Sequence, residues 1–163
     1  MLFRSDRLLI RHGLHALVLA RSLAGPPGPY EVQAEIAACH AQAHSVRATD
    51  WERVAALYVV LGHLTPSPVV ELNRAVAAGM AYGPARGLEI ADRLVTRPAL
   101  ASYAHLPAVR GDLLAKLGRL EEARDEFDRA AALTGNERER TLFRARADAC
   151  LRSPHRLHVG DIG

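Results

Sequence analysis

The sequence predicts an all-α protein built of stacked antiparallel helical hairpins, with about eight helices in 163 residues. Three observations carry that expectation. Apolar residues recur with the 3.6-residue period of a helix, and no stretch alternates as a strand would. Proline and glycine cut the pattern at short, regular intervals, and helices joined by short turns fold back antiparallel on their neighbours. Aromatic residues make up only 5% of a chain rich in alanine, a composition suited to helices that touch through small side chains.

Each element has its own signal. A first helix is expected over 5–23, with Ile10, Leu14, Leu17 and Val18 on one stripe, and the Gly25-Pro26-Pro27-Gly28-Pro29 run ends it. A second follows over 30–45, apolar through Val32, Ile36, Cys39 and Ala43. Thr49-Asp50-Trp51-Glu52 reads as a capping box, with Thr49 at the cap and Glu52 reaching back. The helix behind it runs to 64 and faces the core through Trp51, Val54, Ala55, Tyr58 and Leu61. Ser67-Pro68 starts the next, as serine at the cap and proline at the first helical position. That helix is expected to reach 78 and to pack through Val69, Leu72, Ala75 and Val76.

Gly83-Pro84 opens a helix that buries Leu88, Ala91, Leu94 and Val95. Further helices are expected over 102–117, over 120–133, and from Gly135-Asn136 to 152, where Glu139 pairs with the Asn136 cap. Ser153-Pro154 then ends regular structure and leaves 153–163 as a loose tail. Residues 1–152 are read as one domain, with 30–64, 67–95 and 107–133 as repeat-like hairpins.

Twenty arginines and one lysine oppose 18 acidic residues, a net charge of +3. That excess is too small for a dedicated nucleic-acid binder. No apolar run reaches the roughly 18–20 residues of a membrane-spanning helix. Arg4, Arg7 and Arg11 before the apolar 14–20 stretch imitate a signal peptide, but the stretch is short, His15 interrupts it, and Asp6 sits among the basic residues. Export is not expected. Cys39 and Cys150 fit neither a disulfide framework nor a CxxC pair, so a reducing cytoplasm is the expected setting.

The clearest internal pattern lies in 107–133. Gly111, Leu114, Gly118, Ala123, Phe127 and Ala130 stand at offsets 0, 3, 7, 12, 16 and 19. Small residues at 111 and 123 suit helices that cross closely, Gly118 turns the chain, and Phe127 fills the groove. This spacing resembles the tetratricopeptide (TPR) repeat. Residues 67–95 resemble a degenerate second copy, with Ala75 as the small residue, Gly83 at the turn, and Leu88 where alanine is usual. The resemblance implies a scaffold whose concave face takes an extended partner segment.

A narrower resemblance rests on the strings YEVQAEIAACHAQAH (30–44), TDWERVAALYVVL (49–61) and SPVVELNRAVA (67–77), together with 106–133. In combination they are similar to the C-terminal extension of a group of bacterial extracytoplasmic-function sigma factors, in which a TPR-like domain follows the promoter-binding regions. The resemblance covers about residues 4–152. The two promoter-binding regions of such factors have no counterpart here, so the chain is expected to correspond to the accessory part alone. That resemblance implies control of sigma activity through contacts with the sigma promoter-binding regions, RNA polymerase or a regulator.

Candidate contact residues follow. Asn73 and Arg74 stand mid-helix beside an apolar stripe, where asparagine offers donor and acceptor and arginine a planar fork. They are the first candidates for a groove lined from the third, fourth and sixth helices; the competing reading is that Asn73 satisfies a neighbouring loop. Trp51 can anchor a partner or belong to the core. His40 and His44, i,i+4 beside Cys39, have the spacing of two metal ligands but no third at a clear spacing. His40 is therefore read as a hydrogen-bonded core histidine, His12 and His15 as surface or hairpin contacts, and neither a metal nor another cofactor is expected.

Arg138, Arg140, Arg144, Arg146, Arg152 and Arg156 form a basic cluster, offset by Glu137, Glu139 and Asp148. It can meet phosphates or an acidic patch. Only Phe143 interleaves it, so no stacking platform for single strands is built. The cluster reads as a solvated outer face, and direct DNA contact is not expected. No GxSxG, phosphate-cradling glycine loop or nucleophile pairing appears. The sequence thus points to a non-catalytic interaction domain of a sigma factor, with a generic TPR adaptor and a small-molecule or metal sensor as rival readings.

Overall fold

The computed structural model describes residues 25–152. The helix expected over 5–23 with His12 and His15, Arg156, and the tail over 153–163 lie outside the described residues. Within them stand seven α-helices and no strand: α1 (Pro29–Gln42), α2 (Trp51–Leu64), α3 (Pro68–Tyr82), α4 (Pro84–Asp92), α5 (His105–Lys116), α6 (Leu120–Leu133) and α7 (Glu137–Arg152). Short 3-10 turns at Val46–Ala48 and Pro98–Leu100 lead into α2 and α5. The helices group into two compact units that divide after Ile90, within α4.

In the first unit, Val32 and Ile36 of α1, Val54, Ala55, Leu57 and Leu61 of α2, and Ala77 of α3 form one buried cluster. Cys39, Trp51, Tyr58, Val70 and Ala81 close over it. A buried aliphatic side chain contributes about 1.5–3 kcal/mol relative to exposure, so this cluster holds the three helices together. α3 packs through Leu72, Ala75, Ala77 and Ala78, while Val69 and Val76 are exposed. The expected stripe was thus rotated, because alanines at 77 and 78 permit a closer approach than valines do. α3 also runs on to Tyr82 and ends at Gly83, whose φ of 101° stops it.

Helix starts differ from expectation in one register. The cap of α2 is Asp50, whose side chain accepts the Arg53 amide at 3.1 Å. Thr49 is buried beside it, its hydroxyl directed at the Ser45 carbonyl 3.5 Å away. α1 starts one residue early, at Pro29, and Glu31 reaches back to accept the Gly28 amide. It stops at Gln42, with Ala43 extended, so His44 lies beyond the helix and shares no helical face with His40.

In the second unit α6 packs against both α5 and α7. Leu106, Ala108, Leu113 and Leu114 of α5 meet Ala123, Phe127, Ala130 and Ala131 of α6 and Phe143 and Ala147 of α7 as the buried residues. The turn between α5 and α6 is a Schellman motif. Arg119 donates to the Leu114 carbonyl at 3.0 Å and Gly118 to Ala115 at 3.0 Å, and Gly118 has the positive φ of 77° that this turn demands. α7 is capped by Asn136, whose Oδ1 accepts the Arg138 and Glu139 amides. The Glu139 carboxylate accepts the Thr134 hydroxyl at 2.6 Å instead of returning to Asn136. Val95, expected in the core, is exposed because α4 ends at Asp92 and the chain turns away.

Candidate functional site

The second unit is locked at Phe127. Its ring lies against Gly111 of α5, closely enough that a Cβ there would stand 2.9–3.1 Å from three ring atoms. On the α7 side the Arg146 guanidinium lies 5.7 Å from the ring centroid and pairs with Asp112. One aromatic side chain therefore fixes the crossing of three helices. The spacing of Gly111 and Phe127 had announced this contact.

Next to it lies a cleft that no sequence motif marks. It is lined by Val95, Leu100, Ala101, Leu106, Pro107 and Leu133, and by the charged Arg110, Glu126 and Arg129. Arg110 Nη1 is 2.5 Å from Glu126 Oε1, and its Nε donates to Asp92 Oδ1 at 3.0 Å. Arg129 Nη1 donates to the same Glu126 oxygen at 3.2 Å. Glu126 is 7% exposed, and its second oxygen, Oε2, is buried with no hydrogen-bond partner among the described residues. With two guanidiniums on one oxygen, the other is the buried side-chain oxygen left without a hydrogen-bond partner among the described residues. Arg110 and Glu126 each stand one residue before a helix-crossing residue, Gly111 and Phe127.

The residues singled out from the sequence are dispersed. His40 is exposed, not a core histidine; its ring meets Trp51 edge-on at 5.3 Å between centroids. Its position late in α1 turns it outward past the stripe that Val32 and Ile36 bury. Trp51 is half-buried against the core, with Nε1 donating to the Val46 carbonyl at 2.8 Å. Asn73 is exposed on α3, and the neighbouring Arg74 is half-buried with Nη2 2.8 Å from Glu71 Oε2. Of the basic cluster, Arg140 pairs with Glu137 and donates to the Thr134 carbonyl at 3.0 Å, and Arg146 is committed to Asp112 and Phe127. Arg138 and Arg144 are exposed. Among the described residues no group of three or more His, Cys, Asp or Glu side chains is placed to hold a metal ion. No helix among them is long and apolar enough to cross a membrane.

Hairpins of this geometry, turned by a positive-φ glycine and locked by a phenylalanine on a glycine, define a TPR-like all-α fold. The first TPR domain of the human RPAP3 protein, solved by NMR, has the same fold, with a TM-score of 0.58 and 22% identity. The match covers 76% of this chain and 94% of that domain. In sequence the chain is similar to an uncharacterized protein of Rhizobium meliloti (strain 1021), 46% identical over 128 residues. The chain spans about 30% of the length of that curated relative, the match covering 78% of the chain itself. No family model matches the chain.

Proposed function

We propose that this chain is a non-catalytic protein-interaction domain, the C-terminal accessory part of a bacterial extracytoplasmic-function sigma factor that works in the cytoplasm. The observation that carries the reading is the TPR-like hairpin fold in a chain whose bacterial relative is more than three times as long as the matched stretch. With 128 residues making up 30% of it, that relative has about 430 residues. About 300 of them lie outside the match, room enough for two promoter-binding regions. The strings at 30–44, 49–61 and 67–77 support the sigma setting by resemblance.

In this reading the domain shifts the sigma factor between an occluded and a polymerase-competent state. It does so only as far as it binds the two states with different affinity. Asn73 and Arg74 are the first contact candidates on the first unit, and Trp51 with its neighbour His40 the next. The exposed Arg138 and Arg144 offer positive charge to an acidic patch of a partner.

The test is capture. The full chain is immobilised, a bacterial lysate from its source is passed over it, and bound proteins are identified by mass spectrometry beside an Asn73→Ala/Arg74→Ala double variant. Recovery of polymerase subunits or sigma promoter-binding regions, reduced in the variant, supports the proposal. Recovery of an unrelated protein with neither of these replaces it with a TPR adaptor outside transcription.

A further inference from the structure

We infer that α2 pairs with α2 of a second copy of this chain, antiparallel across a two-fold axis, through Ala56 and Val59 flanked by Glu52 and His63. The inference goes beyond the partner-binding reading and does not need it. It starts from the outer face of α2. Val59 and Val60 are each 41% exposed and Leu64 is 43% exposed, with Ala56 exposed in the turn before them. The core of the first unit takes Val54, Ala55, Leu57 and Leu61 from α2 and none of these. Valine is a poorer helix former than alanine, so adjacent valines on an outer face weaken the helix and leave apolar surface in water. A contact that covers them removes the second of these costs.

The spacing says what covers them. Glu52, Ala56, Val59 and His63 follow one another at intervals of four, three and four residues, which sets them in line along one face. A two-fold axis makes contacts reciprocal: where residue i of one copy meets j of the other, j also meets i. An axis between residues 57 and 58 sets each Ala56 opposite the other copy's Val59, small against large. The same axis sets each Glu52 opposite the other copy's His63. One register thus serves packing and charge together. A parallel pair would set Glu52 against Glu52, and like charges opposed across a contact are unfavourable.

Both polar groups are placed for this. Glu52 is exposed, and no ion pair among the described residues engages it. His63 is exposed, and its Nδ1 lies 2.8 Å from the Val59 carbonyl oxygen. A carbonyl only accepts, so Nδ1 carries the hydrogen and Nε2 is left for a second partner. Nε2 joins a carboxylate when it too carries a proton, which makes the pairing stronger as pH falls. The carboxylates on the elements packed against α2 are already engaged. Glu71 of α3 lies beside Gly62, its Oε1 3.1 Å from where a Cβ would stand, and its Oε2 accepts from Arg74. Glu35 of α1 pairs with Arg53. The face is one helix wide, short of the roughly 1,200–2,000 Å² of a stable interface, so the pairing is weak and depends on concentration.

The test is sedimentation equilibrium of the full chain from about 10 µM to about 1 mM, at pH 6 and at pH 8, on either side of the ordinary histidine range. A monomer–dimer equilibrium is expected, with tighter association at pH 6. Val59→Arg, on an exposed site, is expected to abolish it while the unfolding midpoint stays in place. Glu52→Lys and His63→Glu are each expected to associate about ten-fold more weakly than the unaltered chain. Their equimolar mixture should recover the dimer, because the introduced lysine meets the introduced glutamate across one contact and the native pair forms across the other. That recovery cannot come from a change in the fold of either variant alone.

Association that survives Val59→Arg, that is no tighter at pH 6, or that does not recover in the mixture overturns the pairing. A chain that stays monomeric throughout also overturns it, and leaves the partner-binding reading untouched.

Discussion

A Cβ placed on Gly111 would stand 2.9 Å from Cε1 of Phe127, so the α5–α6 crossing is set at a distance that only a missing side chain allows. Phe127 is itself almost fully buried and has the Arg146 guanidinium over its ring, which leaves the ring little room to retreat.

Gly111→Ala is therefore expected to destabilise the protein even though alanine is the better helix former. Overpacking a filled site costs about 1–3 kcal/mol, against a helix-propensity gain of about 1 kcal/mol. The net loss is about 1 kcal/mol, a fall of roughly 2–4 °C in melting temperature for a chain of this size. Phe127→Ala, which empties the site, is expected to cost about 3–5 kcal/mol. The decisive measurement is a double-variant cycle by urea unfolding. In a Phe127→Leu background Gly111→Ala should become neutral or stabilising, and an undiminished loss there would show that the ring contact is not the cause.

The Asp50 cap makes a second prediction. Because its side chain accepts the Arg53 amide, Asp50→Ala is expected to lower stability by about 1 kcal/mol. Glu52→Ala is expected to stay within about 0.5 kcal/mol, the range of surface substitutions. The reverse order in thermal unfolding would restore the Thr49–Glu52 box suggested by the sequence.

These two cases mark what a single chain discloses. Gly111 and Phe127 were legible because the physics that joins them is local: 16 residues is one helix, one turn and one helix, and the small and large residues announce the crossing. The register of the α2 start was less so, since Thr49 and Asp50 are both good caps and only the burial of Thr49 against the preceding 3-10 turn decides between them. His40 follows Ile36 by four residues and so reads as part of the buried stripe, but it stands in the last turn of α1, which ends at Gln42, and is exposed there. The Arg110–Glu126 cleft was hidden altogether. Charged residues beside an apolar stripe read as solvated faces, and nothing in their spacing says that the chain after Asp92 leaves α4 and supplies Leu100 as a wall.

The arginines of α7 are expected to divide by what they touch. Arg146 pairs with Asp112 across half-exposed side chains and stacks on Phe127. An exposed pair contributes about 0–1 kcal/mol and an exposed cation–ring contact about 0.5–1 kcal/mol, so Arg146→Ala should lose about 1 kcal/mol. Arg144 is exposed on the same helix, and Arg144→Ala should change stability by less than about 0.5 kcal/mol. Thermal unfolding of both variants tests this, and equal effects would deny the Arg146 contact any structural part.

Reactivity of the cysteines offers a test that needs no partner. Burial pushes the thiols of Cys39 and Cys150 above the ordinary value. At Cys39 the Arg53 guanidinium opposes that rise, while Asp50 and Glu35 add to it. The thiolate is the species that alkylates, so a raised pKa means less thiolate at a given pH and a slower reaction. In the folded chain both cysteines should react with iodoacetamide more slowly at pH 8 than in the urea-unfolded chain, and the Cys39 rate should climb to its plateau at higher pH than that of a free thiol. Arg53→Gln removes the cation that lowers the Cys39 pKa and should move its profile further up in pH. A profile that moves down, or that does not move, would mean that Arg53 does not act on the thiol.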